Sequence, residues 1–349
     1  MELFAIDLGN RQVKMKSSRK TKVYPAYFIE ASKFGDRATM QMRKGRKKTS
    51  DYTSSRDDLF TYVWGKELDV DIAKPVDSIG FTDRYESREF KLLVDFALGE
   101  LAKDFPEAKE SMLEVAVVTG VPTADYMQDR LLEQISKTIK GDHSVTIDGV
   151  PLNIRVRSVS LLPQPMGTIV GAMVDDEGEL IEDNPIENAV VGIADIGGGT
   201  LLVDMLRKMN MDMDKRLQSA SGAYTLYESI VRELAKNGRV ITVYEVEQVL
   251  RNAKSNSYYW SPDGKETLDI SQIVMKERIL FTREIASMIK SVFKEFDRIS
   301  AVLVTGGAAN LLVKSEFSAS VPKSLYIDDS EKANVNGFYK YGLWQGLVK

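Results

Sequence analysis

Residues 192–200 read Gly-Ile-Ala-Asp-Ile-Gly-Gly-Gly-Thr, and residues 4–14 read Phe-Ala-Ile-Asp-Leu-Gly-Asn-Arg-Gln-Val-Lys. Each stretch is a short apolar run that ends in Asp and is followed by a glycine turn and a second run able to form a strand. A hairpin turn of this kind exposes several backbone N–H groups, and glycine lets the backbone approach an anion closely. Two such turns in one chain predict a duplicated phosphate-binding hairpin that grips a polyphosphate from both sides.

The carboxylates that precede these two turns, Asp7 and Asp195, predict a magnesium site. They would lie beside the phosphates, and carboxylates repel phosphate unless a cation lies between them. We therefore expect Mg²⁺, organised by Asp7 and Asp195 through water molecules. The alternative is that each aspartate only caps its turn, as aspartate often does.

Further apolar strands also stop at glycine. Residues 301–309 read Ala-Val-Leu-Val-Thr-Gly-Gly-Ala-Ala, and residues 115–122 read Val-Ala-Val-Val-Thr-Gly-Val-Pro. Residues 333–338 read Ala-Asn-Val-Asn-Gly-Phe and lie in a stretch, 331–347, that is expected to be helical. The order of these segments resembles that of the actin-like ATPase superfamily, in which phosphate 1, connect 1, phosphate 2, the adenosine motif and connect 2 follow one another. The likeness is closest to the ParM-type plasmid-segregation proteins and spans nearly the whole chain.

This resemblance implies a fold and a domain division. The fold is α/β and actin-like, with duplicated ribonuclease H-like domains and a nucleotide in the cleft between them. Domain I would comprise residues 1–160, with the end of the chain packing back on it, and domain II would comprise residues 161–349. A chain of 349 residues suits two domains better than one core.

The resemblance also implies which residues bind the nucleotide, ATP or GTP. Lys14 lies on the return strand after Asp7, where a lysine of the family reaches the phosphates, and Gln12 matches a phosphate-facing amide. Glu247 and Lys254, with Arg251 between them, share one predicted helix face and could reach the ribose or base, although an ordinary salt-bridged surface is the alternative. The remaining matched positions are Gly9, Asn10, Gly197, Gly198, Gly199, Thr200, Gly222, Gly306, Gly307 and Ala308.

The segment 160–167 reads Ser-Leu-Leu-Pro-Gln-Pro-Met-Gly. In the superfamily that the chain resembles, a strand entering a helix here presents the residue that positions the attacking water, and the matching residue is Gln164. A glutamine is not a strong base, but its amide can orient water by donating and accepting hydrogen bonds. We therefore expect Gln164 and Asp195 to be the catalytic residues of a slow, Mg²⁺-dependent nucleotide triphosphatase. A Pro-Gln-Pro turn without a catalytic role is the alternative.

Composition excludes several other classes of site. The chain has no cysteine, which rules out disulfides and thiolate metal sites and fits a cytoplasmic protein. His143 is the only histidine, so a histidine-based metal site or catalytic triad cannot be built. We find no signal peptide and no apolar stretch of membrane-spanning length, and we expect no membrane association.

The charge distribution bears on nucleic-acid binding. The formal net charge of −4 argues against extended non-specific binding, and we expect no direct sequence-specific binding to DNA. Residues 43–48 nevertheless read Arg-Lys-Gly-Arg-Lys-Lys. The usual explanation of such a run is a solvated loop, and a filament contact or a DNA contact are the alternatives.

Hydrophobic periodicity predicts the local elements. Residues 2–8 and 12–16 form the first hairpin, and residues 22–29 form a third strand. Residues 36–58 are polar and basic and are expected to form an exposed loop. Residues 123–140 are expected to form one helix, with Thr123 as its N-cap.

These expectations favour a filament-forming protein of the ParM type, in which nucleotide promotes polymer and hydrolysis weakens it. Its partners would be further copies of the chain and a partition adaptor protein bound to centromere-like DNA, so that the filament segregates plasmid DNA. A small-molecule kinase of the same fold is the alternative, but such an enzyme needs a carboxylate base where this chain has Gln164. A chaperone-type ATPase would have a C-terminal substrate domain, and a membrane-attached relative would have a better amphipathic anchor than residues 341–349.

Overall fold

The chain folds into two compact units. In the computed structural model, the first unit comprises Met1–Asn184 and Lys332–Lys349, and the second unit comprises Pro185–Glu331. The structure describes residues 1–33, 49–66, 68, 76–77 and 83–348. Each unit is built around an apolar core of its own.

A mixed sheet forms the centre of the first unit. Its order is β3-β2-β1-β8-β10-β9-β5-β6-β4-β7, in which β1 and β10 both pair with β8 in parallel. The central strands are buried on both faces, which is why their sequences are continuous apolar runs. The strands are β1 (Glu2–Leu8), β2 (Gln12–Lys16), β3 (Thr21–Pro25), β4 (Tyr27–Glu30), β5 (Thr49–Ser54), β6 (Asp57–Gly65), β7 (Val76–Asp77), β8 (Met112–Val121), β9 (Gly141–Ile147) and β10 (Val150–Pro163).

Helices accompany the sheets of both units. The helix Arg88–Ala102 begins with an ordinary N-cap, in which the hydroxyl of Ser87 accepts a hydrogen bond from the Phe90 amide at 3.1 Å. The α-helices of the described residues are α1 (Arg88–Ala102), α2 (Glu107–Glu110), α3 (Thr123–Tyr126), α4 (Asp129–Ile139), α5 (Gln164–Met173), α6 (Ala223–Lys236), α7 (Val243–Asn252), α8 (Ser271–Val292), α9 (Lys314–Ser320) and α10 (Ala333–Trp344).

The second unit repeats the central motif of the first. Its main sheet has the order β13-β12-β11-β17-β18, with β14 paired to β12, and β15 and β16 form a separate ladder. The antiparallel hairpin β11–β12 lies beside the parallel strand β17, just as the hairpin β1–β2 lies beside β8. The strands are β11 (Val190–Ile196), β12 (Leu201–Arg207), β13 (Asn210–Met211), β14 (Leu217–Ser219), β15 (Tyr259–Trp260), β16 (Leu268–Asp269), β17 (Ala301–Thr305) and β18 (Ser324–Tyr326).

Some of the predicted strands and helices have the bounds that the structure shows, and others do not. The first hairpin has the predicted bounds. The predicted strand 22–29 is divided into β3 and β4 at Ala26, whose amide donates to the Arg11 carbonyl at 2.9 Å. The predicted helix 123–140 is interrupted because Gln128 adopts an extended conformation before Asp129 begins α4. Neither Gly nor Pro marks that interruption in the sequence.

The predicted loop over residues 36–58 is wrong at its end. Residues 49–54 form β5, although they read Thr-Ser-Asp-Tyr-Thr-Ser. Tyr52 is buried and its ring packs edge-on against Trp64, with 5.5 Å between the ring centroids. Pairing with β6 and β9 and the burial of Tyr52 together place this polar segment in the sheet. The basic run over residues 43–48 lies outside the described residues.

Helices α5 and α10 contact each other backbone to backbone. A Cβ atom on Gly337 would overlap the carbonyl oxygen of Gly167, and a Cβ atom on Gly167 would lie 2.7 Å from the carbonyl oxygen of Asn334. In the same buried interface, Thr168 Oγ1 donates to Asn334 Oδ1 at 2.8 Å. Glycine at both crossing positions is therefore required for this approach.

The contact between α5 and α10 accounts for the division of the chain. Residues 161–184, which were expected in domain II, belong to the first unit, and the boundary lies after Asn184 instead of after residue 160. The Asn184 side chain also donates to the Ala172 carbonyl at 2.8 Å, at the end of α5. The segment that contains α10, Lys332–Lys349, belongs to the first unit as well.

We expect Gly337→Ala to destabilise the protein by about 1–3 kcal/mol, because the added methyl group overpacks the α5–α10 crossing. Gly171→Ala is the matched control, since a Cβ atom there would lie 3.6 Å from Gly337 Cα, an ordinary contact. Alanine at this position inside α5 should stabilise that variant by about 0.5–1 kcal/mol. Urea unfolding followed by circular dichroism measures both, and equal stability of the two variants would contradict the packing argument.

Candidate functional site

The first glycine turn joins β1 to β2. A Cβ atom on Gly9 would lie 2.8 Å from the carbonyl oxygen of Gln12, so the turn has no room for a side chain at that position. Gln12 is the first residue of β2 and pairs with Pro25 of β3. Gly9, Asn10 and Gln12, three of the predicted nucleotide-binding residues, thus lie together beyond the carboxyl end of β1, and all are half-buried.

Asp7 and Lys14 form an ion pair beside this turn. They are directly opposite each other in the β1–β2 ladder, and Lys14 Nζ lies 3.0 Å from Asp7 Oδ2. The Asp7 side chain is only 2% exposed, so its charge is held in a largely desolvated place by the lysine. The hairpin therefore delivers Lys14 to the mouth of the turn, as its position after Asp7 in the sequence suggests.

Gln164 lies at the same edge of the sheet as the first turn. In the ladders on the two sides of β8, Ile6 of β1 and Leu161 of β10 are both paired with Thr119. Asp7 and the first turn follow Ile6, while Gln164 follows the last residue of β10 as the first residue of α5. Sheets of this kind bind ligands outside the carboxyl ends of their parallel strands.

Arg84 is a contact of the first turn that our sequence analysis missed. It lies in the 3-10 helix Arg84–Glu86. Its Nη1 donates to Asn10 Oδ1 at 2.8 Å, and its Nη2 donates to the carbonyl oxygens of Leu8 at 2.8 Å and Gly9 at 3.4 Å. The guanidinium also lies over the ring of Phe90, 5.5 Å from its centroid.

The second glycine turn joins β11 to β12 and is closed on itself. Gly197 N donates to the Thr200 carbonyl at 2.8 Å, within the turn Gly197–Thr200. The first two amides of α6, those of Ala223 and Tyr224, donate to the carbonyl oxygens of Gly197 at 3.1 Å and Gly198 at 2.9 Å. The start of α6 is thereby bonded to the turn itself.

Gly222 makes that contact possible. A Cβ atom there would lie 2.6 Å from the Gly197 oxygen, 2.7 Å from the Gly198 oxygen and 2.7 Å from the Thr200 nitrogen. No residue other than glycine fits at this crossing. The structure therefore brings together Gly197, Gly198, Gly199, Thr200 and Gly222, which the sequence had assigned to one function from two separate segments.

Asp195 lies at the end of β11, next to the turn after β17. It is paired with Thr305 across the parallel ladder, and its side chain is buried. Gly306 follows with φ of +88°, and a Cβ atom on it would overlap Asp195 Oδ1 and the Ile196 carbonyl. Gly307 and Ala308 continue into the 3-10 helix Gly307–Leu311, where Ala308 is buried. The predicted adenosine turn and the second carboxylate are thus neighbours.

The predicted helix face of Glu247, Arg251 and Lys254 is only partly correct. Arg251 Nε donates to Glu247 Oε1 at 2.8 Å, and its Nη2 lies 3.4 Å from Glu331 Oε1. Burial alone would lower the pKa of Arg251, but the carboxylates of Glu247 and Glu331 raise it above its ordinary value. Helix α7 ends at Asn252, so Lys254 does not share this face and lies in the following turn, where its carbonyl accepts from Ser257 N.

The chemistry of these residues fits a nucleotide with Mg²⁺. Among the described residues, no group of three or more His, Asp or Glu side chains is placed to hold a metal ion by itself. Mg²⁺ commonly keeps several water ligands and is held by one or two carboxylates together with substrate phosphates. Asp7 of the first unit and Asp195 of the second unit are each a carboxylate of the kind that takes part in such a site.

Two family models match the chain. One is described as the N-terminal domain of actin-like proteins and matches residues 5–167. The other is described as the Alp7A C-terminal domain and matches residues 190–339. No match was found among curated proteins.

Solved structures resemble the chain over nearly its whole length. The apo pSK41 ParM protein is 22% identical, with a TM-score of 0.74 over 98% of this chain and 96% of that one. The archaeal actin homologue Ta0583 in complex with ADP is 16% identical, with a TM-score of 0.74 over 97% and 98%. A 15-stranded ParM filament from Clostridium botulinum is 18% identical, with a TM-score of 0.74 over 98% of both chains. The fold is therefore the two-domain actin-like fold.

None of the helices in the described part of the chain is both long and apolar enough to span a membrane.

We expect Lys14→Met to destabilise the protein without nucleotide by about 3 kcal/mol, because it leaves the buried Asp7 carboxylate without its ion-pair partner. The double variant Lys14→Met with Asp7→Asn should recover most of that loss, since it removes the unpaired charge. Urea unfolding of the parent, the two single variants and the double variant completes a double-mutant cycle. Additive losses would show that the two side chains are not coupled.

Proposed function

The chain belongs to the actin-like protein family, and from that membership we propose that it is a filament-forming protein that hydrolyses ATP or GTP with Mg²⁺ and drives plasmid segregation through a DNA-bound adaptor. One observation carries the proposal. Each unit has a hairpin whose first strand ends in a buried aspartate and a glycine turn, beside a parallel strand. Such a duplicated device suits a ligand with several phosphate groups.

We propose that the backbone amides of each glycine turn bind phosphate. Lys14 adds a positive charge at the first turn, and its ion pair with Asp7, with 3.0 Å between Nζ and Oδ2, holds it there. In the second unit, Gly306 brings the turn after β17 against Asp195, where a nucleoside can approach the backbone closely. Mg²⁺, when bound with the nucleotide, would neutralise phosphate charge.

Gln164 is the proposed water-positioning residue. Its amide can accept a hydrogen bond from a water through Oε1 and donate one through Nε2. Because α5 is fixed against α10 by the glycine contact, the first residue of α5 is held on a rigid element. A residue that orients water without removing its proton supports slow hydrolysis, which suits a protein whose polymer must persist before it decays.

Filament formation is supported by what the structural neighbours are. The Alp12 structure is of a filament, with 16% identity to this chain and a TM-score of 0.67 over 99% of it. The Clostridium botulinum ParM described above was also solved as a filament. We propose that this chain assembles with further copies of itself in the same general manner.

The proposal of an adaptor bound to centromere-like DNA rests on the resemblance to ParM. Gln164 stands where a kinase needs a carboxylate base, which disfavours the kinase alternative.

Assembly should depend on nucleotide. With ATP or GTP and Mg²⁺, light scattering and sedimentation should reveal polymer above a critical concentration, because an open head-to-tail contact repeats without closing. Slowly hydrolysed analogues should give longer-lived polymer, and electron microscopy should show filaments. If the protein stays monomeric with every nucleotide at protein concentrations up to tens of micromolar, the filament proposal is wrong.

We expect Gln164→Ala to lower phosphate release by roughly 100-fold, the low end for loss of one positioned catalytic group. Polymer should still form and should decay more slowly, because hydrolysis triggers its decay. Gln272→Ala is the matched control, since Gln272 is an exposed glutamine in the first turn of α8. Phosphate release and light scattering are followed together. Normal turnover in Gln164→Ala would remove Gln164 from the proposed mechanism.

A further inference from the structure

We infer that Arg84 is a positioning residue for phosphate binding, acting from behind the first glycine turn. This inference rests on the proposed function, since it concerns the same turn. The observation behind it is that the Arg84 guanidinium donates to Asn10 Oδ1 and to the carbonyl oxygens of Leu8 and Gly9. Those three acceptors belong to three successive residues of the turn.

The peptide geometry of the turn gives these contacts a consequence. In a trans peptide unit, the C=O and the N–H point in opposite directions. The Leu8 carbonyl shares its peptide unit with the Gly9 amide, and the Gly9 carbonyl shares its unit with the Asn10 amide. Because Arg84 holds both carbonyls on its own side, the amides of Gly9 and Asn10 point away from Arg84. Two consecutive amides with a common direction are what binds an anion in a backbone nest.

Arg84 is itself held rigidly. Its guanidinium lies over the rings of Phe90 and Tyr85, at 5.5 Å and 5.9 Å from their centroids. The Tyr85 hydroxyl donates to Asp125 Oδ2, and burial and this bond raise the pKa of Tyr85, so the hydroxyl remains a donor. Ser87 Oγ donates to the Arg84 carbonyl at 2.7 Å. These contacts restrict the Arg84 side chain, so it stays in place and limits the movement of the first glycine turn.

Arginine is specifically suited to this position. Its planar fork donates in several fixed directions at once, whereas a lysine ammonium is a point charge on a flexible stem. A lysine at position 84 would keep the positive charge but could not hold two carbonyls and the Asn10 amide oxygen in the same geometry. The variant Arg84→Lys therefore separates the effect of the positive charge at position 84 from the effect of the directional hydrogen bonds.

The test measures nucleotide affinity in the full chain with Arg84→Met and Arg84→Lys. Methionine keeps an apolar stem against Phe90 and removes the donors. Arg88→Met is the matched control, since Arg88 lies in the same segment and pairs with Asp57 at 2.9 Å. Dissociation constants are measured for fluorescent ATP, GTP and ADP, and for adenosine or guanosine by competition.

We expect Arg84→Met to weaken binding of the nucleotides about tenfold, because charge-assisted hydrogen bonds that preorganise the turn are lost. Arg84→Lys should weaken binding to a smaller extent. Binding of the nucleoside, which lacks phosphates, should be unchanged, as should nucleotide binding by Arg88→Met. Should Arg84→Met fail to fold, the comparison of Arg84→Lys with the parent decides the question.

Two results would overturn the inference while leaving the proposed function intact. One is unchanged nucleotide affinity in folded Arg84 variants. The other is an equal loss of affinity for nucleotides and nucleoside, which would mean that Arg84 supports the fold in general. If the parent protein binds neither ATP nor GTP, the proposed function itself fails, and this inference fails with it.

Discussion

Close approach of backbone to backbone is the constraint on which this structure depends. In the described part of the chain it is closest at three places: where α5 crosses α10, where α6 begins against the second glycine turn, and where the turn after β17 meets Asp195. At each place a single methyl group would collide with main-chain or carboxylate atoms, which cannot swing aside as a long side chain can. The helix starts and turns proposed to bind the nucleotide are thus fixed by contacts that leave no choice of residue.

Both units also use an arginine to hold main-chain carbonyls near these turns. In the second unit, the buried Arg278 donates from Nε to the Leu311 carbonyl at 2.8 Å and from Nη2 to the Leu312 carbonyl at 3.2 Å. These carbonyls end the 3-10 helix that follows Gly306. A carbonyl at the end of a helix lacks a partner within that helix, and an arginine can satisfy two of them at once. Arg84 does comparable work at the first turn.

Much of this arrangement could be predicted from the sequence, for physical reasons. An apolar run that ends in aspartate and glycine specifies a strand and a tight turn through local residues alone, so the first hairpin was predicted with its observed bounds. Arg84 could not be found in this way, because it lies 74 residues from Asn10 and its role depends on tertiary contact. The place of Lys254 depended on where α7 ends, and no glycine or proline marks that end. Strand β5 has a polar sequence, and its place in the sheet depends on tertiary contacts, namely its pairing with β6 and β9 and the burial of Tyr52.

The order in which the units occur along the chain has a consequence for biosynthesis. The second unit is one continuous segment, Pro185–Glu331, inserted between two parts of the first. A ribosome therefore releases every residue of the second unit before it releases α10, and units of this size can fold as they emerge. Until then α5 lacks the helix against which Gly167 packs, and the segment that begins with Gln164 is without its backbone contact to α10. A nascent chain can thus hold a folded second unit while the edge of the first unit that carries Gln164 still lacks α10, which delays the proposed activity until α10 has been synthesised.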